Sequence, residues 1–101
     1  MTLGAPIALA ALDVTSDAGS DAEVATFDLN TDVAQRIADV DILFSVDQQP
    51  YIQGFLAVQS LWLNLTNGND IGGGELVLTG PSFVDESNIE QILPYAEGGT
   101  R

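Results

Sequence analysis

Glu23-Val24-Ala25-Thr26-Phe27-Asp28 and Ile42-Leu43-Phe44-Ser45-Val46 are the two stretches that decide how this chain folds. The first reads as a short strand that ends on the polar step Asp28-Leu29-Asn30. The second is apolar almost throughout, as a strand covered on both faces should be. Between them, Asn30 or Thr31 is placed to cap a helix in which Val33, Ile37 and Val40 share one face. Asp32 falls in the first turn of that helix, where the positive end of its dipole favours a carboxylate. A strand, a helix and a second strand in this order predict a right-handed crossover and parallel pairing.

Working towards the amino terminus, Ile7, Ala8, Ala11, Leu12 and Ala18 are spaced for one helical face, with Pro6 suited to the first turn and Gly19 to the stop. Met1 to Leu3 looks like the stub of a further strand. In the other direction, Asp47-Gln48-Gln49 halts the second strand and Pro50 opens the longest helix, running to about Thr66. Phe55, Val58, Trp62 and Leu65 stand at core spacing along it, and Asn67-Gly68 ends it. The glycines of Asn69-Asp70-Ile71-Gly72-Gly73-Gly74 are followed by no lysine, so this is a turn and not a phosphate loop. Glu75-Leu76-Val77-Leu78-Thr79 is read as a third strand, closed by Gly80-Pro81. From Ser87 to about Ala96 a last helix is expected, with a Ser87-x-x-Glu90 capping box and a stripe of Ile89, Ile92 and Leu93, and with Pro94 distorting it or ending it early.

The fold class that follows is α/β, a partial doubly wound and mainly parallel sheet of three to four strands with helices between. A sheet this small leaves an edge and part of the helix faces uncovered, so the chain reads as the terminal part of a larger α/β protein.

Composition narrows the functions. With 101 residues, the chain has room for a single core. Fifteen acids face two arginines, giving a net charge of −13, yet 46% of residues are apolar, which argues against disorder. Two arginines cannot neutralise a phosphate backbone, and nucleic-acid binding is excluded on that ground. Without histidine or cysteine, the chain lacks the commonest general base, the thiolate nucleophile and most means of holding zinc or iron–sulfur clusters, and it has no lysine. No apolar run reaches the roughly 20 residues of a membrane span. The opening residues carry no basic start and do not read as a secretory signal. An acid excess without lysine resembles the surface chemistry of proteins from high-salt organisms, where screening relieves self-repulsion.

In open parallel sheets, ligands bind at the carboxyl ends of the strands. Three places meet that condition and should lie along one rim: Gly4-Ala5, Asp28, and Asp47-Gln48-Gln49. A carboxylate beside a primary amide offers acceptors and donors suited to neighbouring hydroxyls of a sugar or polyol, although an Asp after a strand often only caps the next helix. Phe27 and Tyr51 flank the rim; packing in the core or at a hinge is preferred for them over stacking on a sugar ring. Asp39 with Asp41, and the group Asp13, Asp17, Asp21 and Glu23, lack the spacing of a calcium loop and read as solvated faces, so no metal site is expected.

The runs Ala25-Thr26-Phe27-Asp28-Leu29 and Val46-Asp47-Gln48-Gln49-Pro50-Tyr51-Ile52-Gln53-Gly54 resemble the C-terminal lobe of type I periplasmic binding proteins, in particular the ribose-binding-like sugar-binding components of ABC transporters. Val77 to Val84 and the ending Gly98-Gly99-Thr100-Arg101 look like the same group's final crossover and tail. The resemblance implies residues 1–79 as a partial C-terminal lobe, and 80–101 as a hinge crossover and tail that pack on an N-terminal lobe. It implies no enzyme activity and no cofactor. It further implies a monosaccharide or polyol held by Asp28 and Gln48, with Gln49 as a neighbour, a permease as partner, and a location outside the cytoplasmic membrane. Where this chain has Gly4, such relatives often place an Asn, and the departure removes one side-chain hydrogen bond. Two rival readings stand beside this one. The effector-binding domain of a lactose-repressor-type regulator shares the fold, and an enzyme on a small doubly wound sheet is the third choice given the missing catalytic residue types.

Overall fold

A computed structural model describes residues Met1–Arg101. Its elements are α1 (Ala5–Asp17), β1 (Val24–Phe27), α2 (Thr31–Ala38), β2 (Ile42–Asp47), α3 (Pro50–Asn67), β3 (Ser82–Asp85) and α4 (Ile89–Glu97), with a single 3₁₀ turn at Gly72–Gly74. The sheet order is β1-β2-β3. β1 and β2 are parallel, as the crossover through α2 requires, with Phe27 opposite Val46. The amino-terminal stub adds one parallel bridge, Thr2 to Thr26, where the two threonine hydroxyls also bond at 2.7 Å.

β3 differs from expectation in place and in direction. The run Glu75–Thr79 forms no ladder, and the third strand is Ser82–Asp85, antiparallel to β2, with Asp47 opposite Ser82 and Phe44 opposite Asp85. The sheet is therefore mixed. What selects the later segment is the core: Val84 is fully buried and the Phe83 ring lies 5.7 Å from that of Phe44 across the pair. Val77 and Thr79 lie instead beside Leu56, Ala57 and Ser60 of α3.

The core gathers on one face of the sheet. Val33, Ala34 and Ile37 of α2 pack with Ala8, Ile42, Val84 and Ile89, while Leu9, Leu12, Ile92 and Leu93 line its margin. α2 is held at its start by Asn30, whose side-chain oxygen accepts the Val33 N–H at 2.8 Å. Replacing Asn30 with alanine is expected to cost about 1 kcal/mol, measured by urea denaturation. The helix stops at Ala38, so Val40 does not share its buried face; it takes a left-handed backbone, φ 64°, and points to solvent.

Residues 80–101 supply Val84, Ile89 and Ala96 to this same core. α4 lies on α2, and the Thr31 hydroxyl donates to the Ala96 carbonyl at 3.3 Å. With that docking α4 runs through Pro94 to Glu97, close to the expected end at about Ala96, and the proline does not end it early. The capping box does not form, because Ser87 turns back to Asp85, donating its N–H at 2.9 Å and its hydroxyl at 2.6 Å to one carboxylate oxygen. These two bonds hold the Asp85 carboxyl below the ordinary carboxylate range.

α3 stands apart. It packs against no other helix or strand, and it stretches the molecule to 59 Å along its longest axis. Phe55, Val58, Trp62 and Leu65, placed by their spacing in a core, are 58%, 71%, 56% and 75% exposed. Their periodicity marks an apolar face correctly, but this chain contains nothing for that face to lie on.

Candidate functional site

The register of the sheet builds one rim. Thr2 pairs with Thr26 and Phe27 pairs with Val46, all in parallel, so Gly4, Asp28 and Gln48 emerge from the same end of the sheet. β3 enters at that end, with Ser82 opposite Asp47.

Asp28 and Gln48 meet there. The Gln48 amide Nε2 donates to Asp28 Oδ1 at 2.6 Å, and Asp28 sits in a left-handed backbone conformation, φ 68°, immediately after β1. Its own N–H bonds to the Val46 carbonyl at 3.0 Å, and its carbonyl accepts the buried Ser45 hydroxyl at 2.7 Å. A carboxylate is thus turned across the strand ends and fixed from behind. The pair keeps free the second Asp28 oxygen, one Gln48 side-chain N–H and the side-chain oxygen Gln48 Oε1, which offer alternating acceptors and a donor to adjacent hydroxyls.

Gln49, the third expected ligand residue, is placed differently. Its backbone is left-handed, φ 57°, and its side-chain nitrogen donates to the Thr79 carbonyl. That bond straps the turn out of β2 to the segment returning from α3. The Thr79 hydroxyl donates to the Gln48 carbonyl at 3.3 Å, and Gln53 Nε2 donates to the same oxygen at 2.7 Å. Asp47 is on the rim by sequence but turned inward, 1% exposed, with Gln49 N–H on one oxygen and Arg101 on the other.

Gln48 lines an open cavity of about 420 Å³ together with Phe27, Val46, Phe83, Leu78, Thr79 and Pro81, whereas Asp28 does not line it. Phe27 faces this cavity, whereas Tyr51 does not line it. Sequence reasoning missed Pro81 and Phe83. The Gly80-Pro81 dipeptide was a signal for a chain reversal, and it brings both residues back to the rim.

No family model matches the chain. Over 67 residues, 66% of this chain and 16% of its counterpart, it is 36% identical to the xylose/arabinose-binding protein XylF of Sulfolobus acidocaldarius. The crystal structure of a carbohydrate transporter from Acidothermus cellulolyticus 11B, in complex with myo-inositol, superposes with a TM-score of 0.90 at 55% identity, covering 98% of this chain and 35% of that one. This chain matches a segment of the periplasmic sugar-binding-protein fold. A galactofuranose binding protein shares the fold at a TM-score of 0.67 and 18% identity, over 90% of this chain and 31% of its own. The chain spans about a third of the solved chains it matches and a sixth of XylF.

Proposed function

We propose that this chain forms one wall of the ligand cleft in the sugar-binding component of a carbohydrate transporter. The observation that carries the reading is the Asp28–Gln48 pair, held on one rim of a segment 55% identical to an inositol-bound protein. The ligand is a small polyol or monosaccharide. Asp28 accepts a hydrogen bond from one hydroxyl, Gln48 donates to or accepts from the next, and Gln49 is their neighbour, bracing the turn beside them. Phe27 and Phe83 supply apolar surface for the carbon face of the ring. Nothing is transformed: the ligand is captured reversibly as a second lobe closes over it, and the closed form docks on the permease of an ABC importer outside the cytoplasmic membrane. No helix of the chain is long and apolar enough to cross that membrane. The uncovered faces of α3 and of the returning residues 68–79 are the surface that meets the second lobe.

The test is a chimera in which these residues replace the matching segment of the inositol-bound protein, titrated calorimetrically with myo-inositol, xylose, arabinose and galactose. One of them is expected to bind, with Asp28→Ala and Gln48→Ala each weakening it by about tenfold or more. The isolated chain, having one wall, is expected to show no binding at micromolar concentrations. Micromolar affinity in the isolated chain, or indifference of the chimera to both substitutions, would overturn the reading.

A further inference from the structure

We propose that Arg101 is a positioning residue for the rim, acting through Asp47 on the Gln48-Gln49 turn; this rests on the reading of that rim as the ligand wall. Asp47 and Ser82 are the last opposed pair of the β2–β3 ladder, and one guanidinium bridges them. Arg101 Nε donates to Asp47 Oδ2 at 2.8 Å, and Arg101 Nη2 donates to Ser82 Oγ at 2.8 Å. The other Asp47 oxygen accepts the Gln49 N–H at 2.8 Å, in the turn where Gln49 is left-handed. A glutamine resists that conformation, so something must hold it there. The holding group is a carboxylate 1% exposed, and the charged donor that faces it fixes its orientation. Gln48 lies between the two tethered residues and reaches Asp28 only if the turn keeps its shape.

The chain has two cations, and their uses differ. Arg36 pairs with Asp41 where both side chains are about half exposed, a contact that water screens. Arg101 is three-quarters covered and serves the residue behind the ligand-facing pair. The planar fork is what allows one side chain to hold a carboxylate and a hydroxyl together; an ammonium is a point charge without that geometry.

The experiment uses the chain itself and needs no ligand. Heteronuclear NMR spectra and amide exchange are recorded for the parent, Arg101→Ala, Arg101→Lys and Ser82→Ala. In Arg101→Ala, protection of the Gln49 amide is expected to fall by about tenfold or more, and the Gln48 side-chain amide signals to move to the positions of a free glutamine. The amides of α2 are expected to keep their protection. Arg101→Lys restores the Gln49 amide in part but leaves the Gln48 signals displaced, because the Ser82 leg is lost. Ser82→Ala moves the same signals to a smaller extent, and it carries the test should Arg101→Ala fail to fold. Unmoved Gln48 and Gln49 signals in a folded variant, or protection lost evenly through α2 and α4, would overturn the positioning role. A chimera that binds no sugar would instead overturn the ligand reading, with these spectra unaffected.

Discussion

Asp47→Ala is expected to lower the free energy of unfolding by about 3 kcal/mol, read by urea denaturation followed by circular dichroism. The substitution removes one member of a buried charged pair and leaves two donors without their acceptor, the Arg101 guanidinium and the Gln49 N–H. Arg101 retains 23% of its exposure and can recover some hydration, which keeps the cost at the lower end for broken buried pairs. Asp47→Asn separates the two contributions. Its amide oxygen still accepts the Gln49 N–H, while its NH2 group replaces the oxygen that accepted from Arg101, so the ion pair is lost and the turn bond is kept, at an expected cost of about 2 kcal/mol. Equal losses in the two variants would show that the turn contributes nothing of its own.

The second large effect concerns where the core lies. Ile37→Ala is expected to cost about 3 kcal/mol, because Ile37 is 1% exposed among Val33, Ile42, Val84 and Ile89 and its removal leaves a cavity. Trp62→Ala deletes a larger side chain from α3 and is expected to change stability by no more than about 0.5 kcal/mol, since that ring packs on no other element. Only 15 of the 101 residues are buried, so losing one member of so small a core is a large fraction of the whole. The same denaturation curves check both variants. Reversal of their order would place the core on α3.

The parts of the fold that could be read in sequence are those whose determinants are local. From Ala5 to Asp47 the alternation of helix and strand follows periods and caps that lie within each element, such as Asn30 ahead of Val33 and Ile37. The third strand is not of this kind. Leu76, Val77 and Leu78 have the stronger strand character, yet Phe83 and Val84 win because the edge of β2 offers Phe44 and a place in the core. Likewise, the stripe on α3 shows which face is apolar without showing whether a partner exists. At the site, Asp28 and Gln48 were legible because parallel strands carry the residues that follow them to a shared end. The inward turn of Asp47 was not, since it is caused by an arginine 54 positions away. Ser87 does not cap the helix because its hydroxyl is turned to Asp85, two residues back, and the helix begins one residue later, with Asn88 at the N-cap.

The pairing of Asp47 with Ser82 has one more consequence, since those two residues bracket everything from the start of α3 to the return at Pro81. The two chain ends of that excursion are stapled side by side, so it behaves as a detachable arm whose length the body hardly registers, the entropy of closing a loop rising only slowly with its size. A sequence under selection is therefore free to lengthen, shorten or redecorate the outer part of the arm, beyond Gln53 and ahead of Leu78, leaving the three-stranded body and its rim as they are.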